Sequence, residues 1–380
     1  MSRIGFNKPY FTGKEINYIM EAVKREKISG NGHFTQLCHD FIEKRYGIRK
    51  VLLTTSCTNA LEMAALLINT RPGDEIIMPS YTFVSTANAF VLRGATVVFA
   101  DSSEESPNID VDKIEALISK KTKAIVVVHY AGFSCDMDKV MAISSKHNLY
   151  VIEDTAQAIE STYKNRPLGS IGHLGCFSFH ETKNIISGEG GALLINDPFF
   201  IPRAEIIWEK GTNRSAFFKG EVDKYGWIDV GSSFLPSEIT AAFLYAQLEK
   251  VDEIQARRLQ IWNLYYKNLK TLEQNGKILL PSIPEFSKHN AHIFYLVCKD
   301  ESERDKLIIY LDENGVDAIF HYLSLHKSPF YINKYRGDEL TCCDRYSSVL
   351  LRLPIYFELS FEDVEFVCSL IHRFFKNLKT

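Results

Sequence analysis

Two segments carry side chains whose chemistry stands out: a lysine in a turn and a carboxylate at the end of an apolar run. Lys183 lies in CFSFHETKNIISGEGG, between an apolar stretch and a group of glycines. Asp154 ends the apolar stretch VIED, and a buried carboxylate is costly unless a cation meets it. Lysines in turns are normally solvated, so Lys183 alone is also explained as a surface residue. As a pair, these residues supply an amine that can bond to a carbonyl and an acid that can hold a cationic ring nitrogen.

Hydroxyl and aromatic side chains occupy comparable positions in other segments. In TTSCTNAL, the residues Ser56, Cys57 and Thr58 stand where a strand turns into a helix, so that N–H groups and hydroxyls could hold a phosphate. Ser178 in GCFSF could reach the same phosphate, and Phe83 in PSYTFV could offer a flat face to an aromatic ring. Serine and threonine are also common helix caps, and Phe83 alone is also explained as a core aromatic.

A cofactor is predicted when these residues are taken together. Gln157 lies three positions after Asp154, one helical turn away and on the same side. Pyridoxal phosphate needs groups that bind its phosphate, an aromatic side chain against its ring, an acid at its ring nitrogen and a reactive lysine. The eight cysteines form no CxxC pair and have no histidine partner at zinc spacing, so no metal site is predicted.

The elements that must position these side chains are predicted by the hydrophobic pattern. From Lys50 to about Asn196, short continuous apolar runs alternate with helical patterns, which indicates a mostly parallel sheet covered by helices on both faces. The predicted fold class is therefore a three-layer α/β domain. Ligands collect at the carboxyl ends of the strands in such sheets, where Thr55, Pro79, His129 and Asp154 are expected.

The second half of the chain predicts a smaller unit. After a polar, loop-like section from Gly211 to Gly231, residues 237–272 have the spacing of one long helix. HIFYLVC, RDKLIIYLDENG and VDAIFHY predict a β-α-β unit, and FEDVEFVCSLIHRFF predicts a closing helix. We expect a cofactor-binding domain over residues 1–240 and a linking helix with a small α+β domain over residues 241–380.

Composition limits the classes of partner. The formal net charge is −3 and the clusters of Lys and Arg are short, so nucleic acid is not an expected partner. The N-terminal segment MSRIGFNKPYFTGKE lacks the apolar core of a signal peptide, and no apolar run is long enough for a membrane span. We expect a cytoplasmic protein with reduced, structural cysteines and no membrane contact.

Several segments together resemble a known family. The order of SCTNAL, PSYTFVSTANA, VVHYAG, EDTAQA, FSFHETKN and GEGG is similar to that in the sugar-nucleotide aminotransferases of the DegT/DnrJ/EryC1/StrS family, a branch of the fold-type I pyridoxal phosphate enzymes. The similarity extends from FNKPYFTGKE to the final helix. It implies a pyridoxal phosphate-dependent aminotransferase of that fold.

The resemblance also implies roles for individual residues. Lys183 matches the lysine that bonds to the cofactor, and Asp154 matches the acid at the pyridine nitrogen. Gln157 matches the residue near the ring hydroxyl, and Phe83 matches the stacking aromatic. The phosphate contacts match Cys57, Thr58 and Ser178. Many members send an asparagine of a GxNxRM motif to the phosphate of the neighbouring subunit. The matching segment here is GSSFLPSE, with Ser233 and Leu235 in place of Asn and Arg. The resemblance thus implies a homodimer with shared active sites, in which Ser233 is the candidate donor.

The implied reaction moves the amino group of L-glutamate to C4 of dTDP-4-keto-6-deoxy-D-glucose and gives dTDP-4-amino-4,6-dideoxy-D-galactose, for cell-surface polysaccharide synthesis. A 3-amino or a gluco-configured 4-amino product remains an alternative, because the same residues would serve it. Candidate substrate contacts are His180, His321, Tyr322 and His326, each of which is also explained as a structural residue.

Three other functions agree less well with these residues. A sugar dehydratase of the same scaffold has histidine in place of the lysine, whereas this chain keeps Lys183. A non-catalytic sugar-binding scaffold would not need Lys183 together with Asp154. A nucleotide-binding domain that uses GEGG as its phosphate loop is disfavoured because GEGG lacks the GxGxxG or GxxxxGK spacing.

Overall fold

A computed structural model describes residues 3–218 and 220–377 of the chain. The α-helices in that part are α1 (Glu15–Lys24), α2 (His33–Tyr46), α3 (Cys57–Leu67), α4 (Val84–Val91), α5 (Met137–His147), α6 (Ile201–Trp208), α7 (Arg214–Phe218), α8 (Glu238–Leu248), α9 (Val251–Gln274), α10 (Glu301–Glu313), α11 (Thr341–Val349) and α12 (Phe361–Asn377). The strands are β1 (Lys50–Thr54), β2 (Glu75–Pro79), β3 (Thr96–Ala100), β4 (Thr122–Val128), β5 (Tyr150–Asp154), β6 (Thr162–Tyr163), β7 (Arg166–Pro167), β8 (Leu174–Ser178), β9 (Gly191–Ile195), β10 (Ser287–Lys288), β11 (Phe294–Val297), β12 (Ile319–Phe320) and β13 (Leu350–Leu353).

The main sheet has seven strands in the order β1-β9-β8-β5-β4-β2-β3. Strands β8, β5, β4, β2 and β3 run parallel, whereas β9 is antiparallel to both of its neighbours, β8 and β1. The mostly parallel sheet predicted from the sequence is confirmed. The strand GALLI, which forms β9, was not predicted and is the antiparallel exception.

Helices cover both faces of this sheet because its strands are apolar on both sides. Along β4, Val126 packs into the core under α3 and α4, while Val127 packs with α5 on the opposite face. Along β1, Leu52 and Val51 likewise belong to the cores of opposite faces. Successive strand residues point to opposite faces, so continuous apolar runs produce three layers.

A second sheet of three antiparallel strands, in the order β11-β13-β12, lies in the C-terminal part of the chain. Its β11-α10-β12 unit and the closing helix α12 agree with the predicted elements. The single helix predicted over residues 237–272 is wrong in one respect. The chain breaks it between α8 and α9, where Lys250 leaves the helical conformation with φ −110° and ψ 11°. Helix α8 packs beside α1 and α2, on the core that covers β1.

One other prediction is refined by the structure. The section 211–231, expected to be a loop, contains the short helix α7, and its two ends meet because Gly211 and Gly231 have no side chains. All eight cysteines lie in the described part of the chain and are unpaired. No helix among residues 3–218 and 220–377 is long and apolar enough to cross a membrane.

Candidate active site

A cavity of about 690 Å³ opens at the carboxyl ends of β1, β2, β4, β5 and β8. The predicted site residues that line it are Ser56, Cys57, Thr58, Phe83, Asp154, Gln157, Ser178, His180, Lys183, His321 and Tyr322. They come from segments that are up to 266 residues apart, counted from Ser56 to Tyr322. The fold therefore gathers eleven of the thirteen predicted residues around one space.

The N-terminus of α3 lines one end of the cavity. The Ser56 side chain accepts a hydrogen bond from Asn59 N (3.1 Å), which makes Ser56 the helix cap, while Cys57 and Thr58 begin the first turn. N–H groups of a first turn have no acceptor within the helix, and together with the helix dipole they attract an anion. The Thr58 hydroxyl lies 2.8 Å from Ser85 Oγ, which adds a second hydroxyl to this end.

Gly191 allows β9 to lie directly against this helix start. A Cβ atom at this position would lie 2.4 Å from Cys57 N and from the Ser56 carbonyl carbon, closer than van der Waals contact permits. Gly191 also pairs with Ser178 in the sheet, so the two strands hold Ser178 beside the first turn of α3. The last glycine of GEGG thus determines how closely the strand and helix approach.

Asp154 presents its carboxylate to the cavity from the end of β5. Thr86 donates a hydrogen bond to Oδ2 (2.7 Å) and the Ala156 N–H donates to Oδ1 (3.1 Å). Burial raises the pKa of Asp154, and these two hydrogen bonds and the charge of Lys183 oppose the rise. A cation placed against this carboxylate would stabilise its ionised form.

Glu153, the preceding residue, points to the other face of the sheet. Its carboxylate accepts hydrogen bonds from the backbone N–H groups of residues 169, 171 and 172, and lies 3.1 Å from His129 Nε2. Burial acts to raise its pKa, but the bond from His129 and these N–H groups lower it overall. Glu153 therefore fixes the turn before β8. His129 was expected near a ligand, but its ring contacts Glu153 in this buried hydrogen-bond network.

Lys183 lies in the turn between β8 and β9, and its N–H donates to the His180 carbonyl (2.9 Å). Its side chain is partly buried at the cavity wall. Burial and, to a smaller extent, the positive charge of Arg352 lower the pKa of Lys183 to about 8, while Cys57 and Asp154 act in the opposite direction. A larger share of this amine is neutral near pH 7 than for a surface lysine, and a neutral amine is the nucleophilic form.

Phe83 and Tyr322 form the aromatic part of the wall. Phe83 is 54% exposed and borders the cavity, so its ring is accessible to a ligand, and its centroid lies 6.0 Å from that of Tyr322. Gln157 joins two neighbours, because its Oε1 accepts from Ala131 N (2.7 Å) and its Nε2 donates to the Tyr322 hydroxyl (3.0 Å). These bonds fix the position of the Gln157 amide.

Two histidines border the cavity in different environments. His180 accepts a hydrogen bond from Thr182 N at Nδ1 (3.2 Å), and its Nε2 lies 3.6 Å from the Glu189 carboxylate. Burial, with the nearby charges of Arg352 and Lys183, lowers the pKa of His321 well below the usual range, so that its ring is neutral at physiological pH.

Two of the predicted residues lie elsewhere. His326 is buried, its Nδ1 lies 2.8 Å from Ser80 Oγ and its Nε2 lies 3.5 Å from Asp344, so it is not a lining residue of this cavity. Ser233 borders a separate cavity of about 700 Å³, beside Lys27 and Lys210. Its predicted contact with a second subunit concerns a chain other than this one and stays a prediction.

The structure adds residues that sequence reasoning missed. Thr86 supports Asp154, and its own hydroxyl lies 2.9 Å from Thr82 Oγ1. His292 borders the cavity with Nδ1 2.9 Å from Asn184 Oδ1. Arg352, on β13, also lines it. Only Arg352 had a signal in the sequence, a single charge within the apolar stretch LLRLPIY.

The lining supplies polar, aromatic and charged groups that fit the predicted cofactor. The first turn of α3 and Ser178 would hold the phosphate, Asp154 the ring nitrogen, and Phe83 the ring face, with Lys183 at the aldehyde. Asp154 is a buried carboxylate that still lacks a hydrogen-bonded cation among the described residues, which a protonated pyridine nitrogen would supply. In that part of the chain no group of three or more His, Cys, Asp or Glu residues could hold a metal ion.

Comparison with known proteins agrees with this geometry. Residues 9–372 match the DegT/DnrJ/EryC1/StrS aminotransferase family. The chain is 31% identical to the spore coat polysaccharide biosynthesis protein SpsC of Bacillus subtilis, over 98% of this chain and 97% of that protein. It is also 31% identical to a GDP-perosamine synthase of Escherichia coli O157:H7, over 99% of this chain and all of that protein. The structure of the aminotransferase TlmJ from Streptoalloteichus hindustanus superposes with a TM-score of 0.91 at 26% identity and covers 100% of both chains.

The fold and the cavity thus define a fold-type I pyridoxal phosphate enzyme, a sugar aminotransferase. The chain belongs to the DegT/DnrJ/EryC1/StrS aminotransferase family. The enzymes of this family use pyridoxal phosphate, so the predicted fold class, enzyme class and cofactor are confirmed.

Proposed function

We propose that this aminotransferase transfers the amino group of L-glutamate to C4 of dTDP-4-keto-6-deoxy-D-glucose and forms dTDP-4-amino-4,6-dideoxy-D-galactose. The placement of Lys183, Asp154 and Phe83 around one cavity with the N-terminus of α3 is the observation that supports the reaction type. The choice of sugar nucleotide rests on the stretches HYAG, FSFHETKN, EKGTNRS and GSSFLPSEITAA. They resemble those of the dTDP-4-amino-4,6-dideoxygalactose transaminase of enterobacterial common antigen synthesis.

When bound, pyridoxal phosphate would supply a carbonyl able to accept an amino group and a cationic ring able to accept an electron pair. Lys183 would serve as the general acid and base of this reaction. With a pKa of about 8, its amine would take a proton from the substrate carbon and later give a proton back. A group with a pKa near the working pH is well matched to both directions of transfer.

Asp154 would hold the ring nitrogen in its protonated, cationic form. Its two oxygens are fixed by Thr86 and Ala156, so the carboxylate would need no rearrangement to receive that cation. Phe83 would pack against the ring, and the hydroxyls at the start of α3 with Ser178 would hold the phosphate. Residues that hold both ends of a flat molecule would orient it relative to Lys183.

We also propose that the enzyme works as a homodimer in the cytoplasm. A run of exposed apolar side chains, Tyr225, Trp227, Ile228 and Val230, lies just before Ser233 and supports contact with a second copy. Eight unpaired cysteines support a reducing compartment. Sedimentation at low micromolar concentration should give the dimer mass, and a fully active monomer would contradict the proposal.

The proposed reaction is tested by product analysis. The purified enzyme is incubated with L-glutamate and dTDP-4-keto-6-deoxyglucose, and a parallel reaction contains L-glutamate and the GDP-linked counterpart of that sugar. The Lys183→Ala variant serves as the blank. NMR coupling constants of the sugar protons then assign the position and configuration of the new amine. We expect an axial C4 amine from the dTDP sugar. An equatorial C4 amine, a C3 amine, or turnover of the GDP sugar alone would replace the proposed product.

A further inference from the structure

Asn184 follows Lys183 in the chain, but it is buried and does not line the active-site cavity. Its Nδ2 donates hydrogen bonds to the Asn290 carbonyl (2.8 Å) and to Gln255 Oε1 (3.2 Å). Its Oδ1 lies 2.9 Å from His292 Nδ1 and accepts the proton of that nitrogen, since an amide oxygen can only accept. The Asn184 amide thus uses both of its N–H groups and its oxygen in bonds to distant parts of the chain.

Asn290 extends this contact to the segment that follows β5. Its Nδ2 donates to the Gln157 carbonyl (2.9 Å) and to the Ile159 carbonyl (2.7 Å), and its own backbone carbonyl is the one that accepts from Asn184. Gly132 leaves the space for this side chain, because a Cβ at that position would lie 2.0 Å from Asn290 Oδ1. Two amides in series therefore connect the turn of the lysine with the end of β5.

The segment of residues 290–292 is itself fixed by α9. Arg258 is buried in that helix, and its guanidinium donates to the carbonyls of Ala291 (3.2 Å) and His292 (2.8 Å). The His292 N–H donates to Asn290 Oδ1 (3.1 Å), which closes the segment on itself. Buried groups that bond to one another make a rigid network, because no water is present to replace a bond that breaks.

This network joins the two elements that carry the amine and the acid of the site. Lys183 lies in the turn after β8, and Asp154 ends β5, so pairing of the two strands does not by itself fix the turn. In pyridoxal phosphate the ring nitrogen and the carbon that carries the aldehyde lie on opposite sides of one rigid ring. The amine and the carboxylate must therefore stand at a set separation to meet both of them.

We propose that Asn184 is a positioning residue, which acts through the 290–292 segment to set the location of the Lys183 amine relative to the Asp154 carboxylate. The proposal rests on the role proposed above for Lys183 and names what holds that residue. Without the Asn184 amide, the turn would keep its internal bond from the Lys183 N–H to the His180 carbonyl. It would lose its side-chain bonds to α9 and to the 290–292 segment.

The experiment compares covalent loading of Lys183 with binding of a ligand that cannot bond to it. Apo wild type and Asn184→Ala are mixed with pyridoxal phosphate, and stopped-flow absorbance gives the rate at which the bond to Lys183 forms. Pyridoxamine phosphate has no aldehyde, so its affinity, measured by equilibrium dialysis, reports on the rest of the site. Urea unfolding of each apo protein gives its stability.

Asn196→Ala is the matched control for the loss of a scaffold amide. The Asn196 Nδ2 also donates to two acceptors, the carbonyls of Gly169 (2.8 Å) and Gly172 (2.9 Å), and the residue does not line the active-site cavity. This variant should be less stable than wild type but should load at the wild-type rate.

We expect Asn184→Ala to lose about 10- to 100-fold in loading rate, because a displacement of about 1 Å of a reacting group is enough for such a loss. Its affinity for pyridoxamine phosphate should stay near that of wild type. A wild-type loading rate in Asn184→Ala would overturn the proposal. So would a loss of pyridoxamine phosphate affinity as large as the loss of loading rate, or an equal loss of loading rate in Asn196→Ala, since either result indicates a general loss of structure.

A double substitution tests whether the 290–292 segment carries the effect. Asn290→Ala should also slow loading, and the double variant with Asn184→Ala should lose no more than the more damaging single variant, because both act through one connection. Losses that multiply would show independent effects and would overturn the connection. If Asn184→Ala does not fold, Asn184→Ser, whose hydroxyl can keep one of the bonds, takes its place with a smaller expected loss of loading rate.

The same measurements separate this proposal from the proposed function. If borohydride marks no bond between the cofactor and Lys183 in wild type, the role proposed for Lys183 is rejected and the aminotransferase mechanism with it. If wild type loads normally and Asn184→Ala loads equally fast, the positioning role of Asn184 alone is rejected.

Discussion

Asp154 and Glu153 are consecutive residues whose carboxylates lie on opposite faces of the central sheet. Asp154 borders the cavity on the face of Ile152, whereas Glu153 lies on the face of Val151 and is bonded by His129 and the turn at residues 169–172. Alternation along a strand gives one acid to the cofactor site and the other to the scaffold. The two acids therefore predict different consequences of substitution.

Asp154→Asn should weaken cofactor binding about 10-fold or more with a small effect on folding, because it removes a charged hydrogen bond to the ring nitrogen. Glu153→Gln should lower the free energy of unfolding by about 2–4 kcal/mol, since one side-chain oxygen that accepts buried hydrogen bonds becomes a donor. Equilibrium dialysis of the cofactor and urea unfolding of the apo protein measure the two effects. Loss of stability in Asp154→Asn together with loss of cofactor affinity in Glu153→Gln would contradict the placement of the two carboxylates on opposite faces.

Lys183→Ala should keep the fold and retain noncovalent cofactor, but it should lose the covalent bond to the cofactor and at least about 10²–10⁴-fold in turnover, because proton transfer at the substrate carbon is lost. Borohydride reduction followed by peptide mass analysis should mark residue 183 in wild type only. Lys164→Ala, at an exposed turn where the amine pairs with Asp138, is the matched control and should retain full activity. Wild-type turnover in the Lys183 variant would reject the assigned role.

Covalent loading of the apo protein with pyridoxal phosphate should depend on pH through Lys183. The neutral amine reacts, so the rate should fall about tenfold per pH unit below the pKa of about 8 and level off above it, whereas an ordinary lysine at 10.5 would keep accelerating. Arg352→Gln should move the midpoint upward, because the charge that lowers the pKa of Lys183 is removed. Stopped-flow absorbance measures the loading rate against pH for wild type and Arg352→Gln. If both proteins have the same midpoint pH, the charge of Arg352 does not lower the pKa of Lys183.

Gly191→Ala should weaken cofactor binding and cost about 1–3 kcal/mol of folding free energy, since the added Cβ would lie 2.4 Å from Cys57 N and displace the start of α3. Gly5→Ala is the matched control, because a Cβ there would meet only the Asn7 carbonyl oxygen at 3.9 Å, an ordinary van der Waals contact. Cofactor titration and thermal unfolding of both variants check the prediction. Unchanged cofactor affinity in Gly191→Ala would mean that the position of the start of α3 does not depend on the close approach of β9.

The sheet and the catalytic centre were accessible from sequence because they depend on local patterns. Continuous apolar runs indicate buried parallel strands, and Asp154 or Ser56 can be placed at a strand end from the run that precedes it. The break between α8 and α9 was missed because apolar spacing continues across Lys250. Strand β9 was missed because a short apolar run next to glycines has no periodicity that distinguishes it from a loop.

The sequence by itself determined the class of chemistry, since Lys183, Asp154 and the hydroxyls before α3 are residue types with few joint uses. Only the tertiary structure decided which side chains share the cavity. It separated Glu153 from Asp154, directed His326 to Ser80, and brought Arg352 from β13 to the wall that Lys183 occupies. The physical reason is that a residue type and its neighbours limit what a side chain can do, whereas its partners depend on chain segments that meet only when the sheets and helices pack.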